Sequence, residues 1–132
     1  MIFCSDFFIK KLLDSHHWYI DSTFLRSEGF SQLIIIMYYD NELNKRYPSL
    51  YSLINNKSLE GYKYLFAKII NIITIDNTKT LNLFSYSTDF EIALLKALKD
   101  LLPKIKGIGC FFHYSKNLYK NIKKFKLKNN KF

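Results

Sequence analysis

From Trp18 to Phe24 apolar and polar positions alternate, with Trp18, Ile20, Ser22 and Phe24 on one face and Tyr19, Asp21 and Thr23 on the other. That period of two predicts a β-strand, and Asp21 is the charged residue inside it. After Ser27-Glu28-Gly29, the run from Gln32 to Tyr39 is apolar on both faces and rich in β-branched side chains. A central strand covered on two sides has that character. Asp40 to Lys45 reads as a turn, and a third strand follows Pro48 through Leu50, Tyr51, Leu53 and Ile54, with proline tolerated best at a strand start or sheet edge. Three strands on short connections predict an antiparallel meander. The residues before Trp18 form only a weak segment.

The period then changes. Ser58 suits a helix N-cap, and Leu59, Tyr62, Phe66, Ile69 and Ile73 recur every three or four residues, which predicts an amphipathic helix lying on the sheet. Asp76-Asn77-Thr78 breaks it, and Leu81 to Ser87 alternates again as a fourth strand. Thr88-Asp89-Phe90-Glu91 matches a capping box, in which the Thr and Glu side chains would satisfy each other's free backbone amides. Phe90, Ala93, Leu94, Ala97, Leu98 and Leu101 form the apolar face of the next helix, with Pro103 just past its end. Ile105 to Phe112 reads as a short fifth strand, and His113 opens a last helix with Tyr114, Leu118, Ile122 and Phe125 on one side and lysines on the other. The order βββαβαβα predicts an α/β fold, a mixed five-stranded sheet with helices packed on it. Residues 1–15 form a lead-in and 16–128 one domain.

Composition narrows this further. With 132 residues, 48% hydrophobic and 23% charged, the chain is one globular domain with a real core rather than a disordered segment. Twenty Lys and Arg against eleven Asp and Glu give a net charge of +9, a field that favours a polyanion such as nucleic acid. The richness in Lys, Ile, Asn, Phe and Tyr is equally what an A/T-rich coding sequence yields. Cys4 and Cys110, far apart and without a hydrophobic export segment, argue for a reducing intracellular compartment. Met1 to Leu13 carries Asp6, Lys10 and Lys11 and makes a poor signal peptide. The longest apolar run, Leu33 to Tyr39, is strand-sized, far short of the roughly 20 residues of a membrane span. A soluble protein with no membrane partner is expected.

The candidate chemistry is carried by carboxylates. Asp21 within an apolar strand and Asp89 between a strand and a helix start are candidate metal ligands. Asp21 could instead be a hydrogen-bonded strand polar group or an edge-strand charge, and Asp89 could simply stabilise a helix N-terminus, worth about 0.3–1 kcal/mol. Cys110-Phe111-Phe112-His113 has zinc-like spacing, but one pair supplies half a tetrahedral site, so zinc is not expected. His16 and His17 read as solvated. Lys116, Lys120, Lys123 and Lys124, with Lys126, Lys128 and Lys131 beyond, could follow a DNA backbone or form a solvated helix face.

Taken in order, Tyr19-Ile20-Asp21-Ser22-Thr23-Phe24, Thr88-Asp89-Phe90-Glu91 with Ala93 and Ala97, Pro103, and Gly109-Cys110-Phe111-Phe112-His113 resemble the transposase domain of Mutator-like elements, a ribonuclease H-like fold of the DDE class. The resemblance implies that the strands bearing Asp21 and Asp89 are parallel neighbours and that these two acids are catalytic. It further implies two Mg2+ (or Mn2+) ions about 3.5–4 Å apart, with Asp21 bridging them and Asp89 holding one. DNA would be the substrate, cut and joined in transposition and recombination, in the nucleus. A full-length protein could be a homo-oligomer. Cys110 and His113 would be a family marker near the site. The third acid of the class lies on a later helix, and no acid follows Asp100. The expectation is therefore an incomplete catalytic domain, ending before that acid. The alternative is a catalytically dead remnant serving as a basic nucleic-acid-binding or protein-interaction module.

Overall fold

A computed structural model of the chain describes residues 1–76 and 78–129, with the side chains of Ser27 and of 126–129 set aside. The predicted meander forms: β2 (His17–Ser27), β3 (Phe30–Asp40) and β4 (Lys45–Ile54) pair antiparallel in sequence order. Gly29, at φ +88°, turns β2 into β3, a backbone conformation in which a side chain is strained. β4 starts three residues before Pro48, which sits where the register to β3 shifts between Ile36 and Met37. A bulge accommodates a residue with no N–H to give the ladder.

β5 (Ser85–Thr88) then lies parallel to β2, and β6 (Lys106–Gly109) parallel to β5. Both are shorter than expected. Leu81 to Phe84 come before β5 as irregular chain, and Phe111 and Phe112 belong to α4 rather than to β6.

The sheet has six strands, in the order β1-β4-β3-β2-β5-β6, so the five-stranded expectation is corrected by one edge strand. That strand is β1 (Ile2–Cys4), paired antiparallel with β4, and α1 (Asp6–Asp14) follows it. Three residues are too few to show a period. The weak opening segment nevertheless buries Leu12 and Leu13 and hands the Leu12 carbonyl to the buried indole of Trp18, at 2.9 Å.

α2 (Leu59–Ile73) begins where its cap predicted, the Ser58 hydroxyl accepting from the Gly61 amide at 3.0 Å. After its cap Thr74, Ile75 and Asp76 adopt positive φ and end the helix; Asn77 lies outside the described residues. α3 is Ile92–Leu101 and α4 is Phe111–Asn129. Trp18, Ile20, Ile34, Ile36 and Leu50 from one sheet face join Leu12, Tyr62, Phe66, Ile69, Leu94 and Leu98 from α1, α2 and α3 in a single core. The opposite face carries Tyr19, Asp21, Leu33, Ile35 and Met37, all only partly buried. β3 is therefore fully covered on one side, not two. The fold is the mixed α/β arrangement of a ribonuclease H-like domain.

Candidate active site

β2 and β5 run side by side and parallel, with Tyr19 opposite Ser87 as the last pair of their ladder. Two residues further along each chain stand Asp21 and Asp89, so the sequence places both acids at the same level beyond the carboxyl end of β5. Open α/β sheets bind ligands at this end. No direct contact between the two carboxylates is described; Ser22 stands between them. Its backbone N–H donates to Asp21 Oδ1 at 3.0 Å, and its hydroxyl donates to Asp89 Oδ2 at 2.6 Å. The periodicity places Ser22 only on the strand face of Trp18, Ile20 and Phe24, and its tie to the second acid depends on a neighbour 67 residues away.

Asp21 lies on the open face, and the first turn of α4 brings His113 Nε2 to 3.8 Å from its Oδ1. The other ring nitrogen of His113, Nδ1, is buried with no hydrogen-bond partner among the described residues. The Cys-x-x-His pair therefore splits. His113 faces the acid, while Cys110 continues the β6 end through its backbone N–H to the Thr88 carbonyl at 2.8 Å. Both cysteines are free thiols.

Asp89 is held from behind. Its Oδ1 accepts from the Glu91 backbone N–H at 3.3 Å. Glu91 turns its carboxylate into the fold, where Oε1 accepts from the Tyr62 hydroxyl at 2.7 Å and Oε2 from the Gln32 amide at 3.3 Å. The Tyr62 hydroxyl also lies 2.6 Å from Gln32 Oε1. Tyr62 and Gln32 are fully buried. Burial, then the hydrogen bond to Glu91, push the Tyr62 phenol well above its ordinary range, so it stays a neutral donor.

This network overturns the capping box. α3 takes Glu91 as N-cap without a side-chain cap bond. Thr88 ends β5, fully buried, its hydroxyl unpaired among the described residues. A threonine pointing into the core on a strand cannot also reach a helix amide. The spacing suggests a cap at Glu91 because it cannot reveal a buried Tyr and Gln on distant elements.

Further along the open face, His17 is not solvated. It is half-buried, with Nδ1 2.6 Å from the Ser85 hydroxyl and Nε2 2.8 Å from the Ser87 hydroxyl. Burial, and then the nearby Arg46 guanidinium, lower its pKa from the ordinary value. Lys116, Lys120, Lys123 and Lys124 are exposed on α4, and so are Tyr114, Leu118, Ile122 and Phe125, the stripe expected to pack. The side chains of Lys126 and Lys128, and Lys131, lie outside the described residues.

As a donor set, Asp21 and Asp89 offer hard carboxylate oxygens, and the Asp21 side chain is 43% exposed. Among the described residues no group of three or more His, Cys, Asp or Glu is placed to hold a metal. Mg2+ commonly uses one or two carboxylates and completes its shell with waters and substrate phosphates, so this pair suits it. Zinc's preference for four nitrogen and sulfur ligands is not met there.

No helix among the described residues is long and apolar enough to cross a membrane. Comparison with curated proteins gives no match. The family model of the MULE transposase domain matches residues 17–117, from the first residue of β2 into α4 and across both acids. The chain belongs to the MULE transposase domain family.

Proposed function

We propose that this domain acts on DNA phosphodiesters as the catalytic portion of a transposase, with Asp21 and Asp89 holding divalent metal. The observation that carries this reading is the pair of acids at the same level of two neighbouring parallel chain segments, linked through Ser22, within a MULE transposase domain. In a complete site Asp21 would help to hold both of two Mg2+ or Mn2+ ions and Asp89 one of them. When bound, such ions activate a water or a DNA 3′-hydroxyl and stabilise charge on the leaving oxygen. The Ser22 hydroxyl fixes the rotamer of Asp89, and the Glu91-Tyr62-Gln32 network anchors the turn that carries it to the core. His113 borders Asp21 from the solvent side. The lysines of α4 would follow the DNA backbone, and a nuclear location would accompany such a substrate.

The test is a metal titration followed by melting temperature. Mg2+ or Mn2+ should raise it in the wild-type chain, since a ligand that binds only the folded state stabilises it. Asp21→Asn and Asp89→Asn should each abolish the rise. A wild-type chain that gains nothing from either metal sinks the proposal. The second reading would then stand, a remnant without catalysis that binds nucleic acid through its basic surface. It is favoured by the lack of a third ligand among the described residues.

A further inference from the structure

Exposed aromatic rings stand next to Asp89 in the chain and beside His113, the neighbour of Asp21. Phe90, the residue after Asp89, is 48% exposed. Its ring lies against Gly109, where an added Cβ would come within 2.5 Å, and its centroid is 6.5 Å from that of Tyr114. Tyr114 is 54% exposed and follows His113, the neighbour of Asp21. Phe112, 66% exposed, packs edge-on to the His113 ring with centroids 5.7 Å apart, and the Lys116 ammonium stands 5.9 Å from the centre of Phe112. At the far end of β2, Lys57 stands 3.6 Å over the exposed ring of Phe24.

Exposed rings set beside one another and beside cations point to a binding surface, and the charges say for what. Lysines accompany the rings on a chain of net charge +9. An apolar protein partner would have to strip water from those ammonium groups with nothing to pair them. A nucleic acid strand satisfies both, because bases stack on rings while phosphates take the cations. In an intact duplex the base faces are stacked on each other. Only nucleotides out of the stack can lie on a protein ring.

We propose that this rim binds unpaired nucleotides: Phe90 with Tyr114, and Phe112 with Lys116, stack bases next to the phosphodiester held at the acids. The site thus takes single-stranded or locally opened DNA in preference to closed duplex. This rests on the reading of Asp21 and Asp89 as a DNA phosphodiester site.

The experiment measures fluorescence anisotropy of labelled oligothymidine and of a hairpin duplex of equal length, titrated with the whole chain in EDTA. Oligothymidine should bind more tightly. Phe90→Ala and Phe112→Ala should each weaken it about 5- to 150-fold, the worth of one stacked base, and leave duplex binding and the melting temperature nearly unchanged. Gly109→Ala, which pushes the Phe90 ring aside, should reproduce part of the Phe90→Ala loss. Equal affinity for the two DNAs, or ring variants that bind oligothymidine as wild type does, overturns the rim and leaves the acid pair standing. Failure to bind either DNA at low salt also overturns the rim, and the metal titration reads the acids separately.

Discussion

The two faces of β3 are built from similar residues and fare differently. Ile34 and Ile36 are fully buried under the helices, whereas Leu33, Ile35 and Met37, one residue out of phase, are only half-covered. Asp21 pairs with Ile35 on that open side. One face is the scaffold, and the other carries Asp21, one of the two acids of the proposed site. A core of Trp18, Tyr62, Phe66 and Leu98 resists local opening, so a site built on the reverse side of the same strands keeps its backbone while its surface stays accessible to a substrate.

The contrast should appear as unequal losses on truncation. Leu98→Ala removes a fully buried side chain and should cost about 2–5 kcal/mol in denaturant unfolding, through lost transfer energy and the cavity left behind. Ile35→Ala should cost less, because a side chain that is only partly buried forfeits less contact with its neighbours. Similar losses at the two positions would mean that something covers the open face in solution, and the comparison would fail.

Between the two faces lies the Asp89 turn, which belongs to both. Its carboxylate looks toward Ser22, while Glu91, two residues on, is bonded to Tyr62 and Gln32 inside the core. Tyr62→Phe keeps the ring and removes the hydroxyl, leaving Glu91 and Gln32 short of a partner. A loss of about 1–3 kcal/mol is expected. If the network positions Asp89 as well as stabilising the fold, the variant should also show a smaller metal-induced rise in melting temperature than the wild type. A full metal response alongside the stability loss would confine the network to a structural role.

How much of this was legible beforehand follows from the range of each interaction. Periodicity is local, so it found the meander, α2 with its Ser58 cap and α3, while the parallel pairing of the strands next to Asp21 and Asp89 came from the family resemblance. It could not find β1, whose three residues are a strand only because β4 offers them an edge. It placed Phe111 and Phe112 in a strand because both are apolar, whereas they open α4 and stay exposed. In the site, the residue types and order pointed to the two acids. Ser22, the inward turn of Glu91 and the approach of His113 to Asp21 depend on partners 29 to 92 residues away, and spacing carries no record of those.

The smallest expected effect concerns His17, which occupies the open face yet is half-buried there. Its ring sits between the hydroxyls of Ser85 and Ser87 and 4.4 Å from the Tyr19 ring, over which the Arg46 guanidinium stands at 4.1 Å. Burial and Arg46 disfavour the imidazolium, so the folded-state pKa lies below the unfolded value of about 6.5. In the window between those two values the unfolded chain binds the proton and the folded chain does not. His17 thus contributes stability that is fully present above about pH 6.5 and is lost as pH falls through the window. Melting curves from about pH 8 to pH 5 should therefore drop faster in wild type than in His17→Asn, since the other titrating groups are common to both proteins and cancel. Parallel curves would mean that the ring stays neutral in both states or charges equally in both. The open face would then be wetter at β2 and β5 than the hydrogen bonds to the two serines imply.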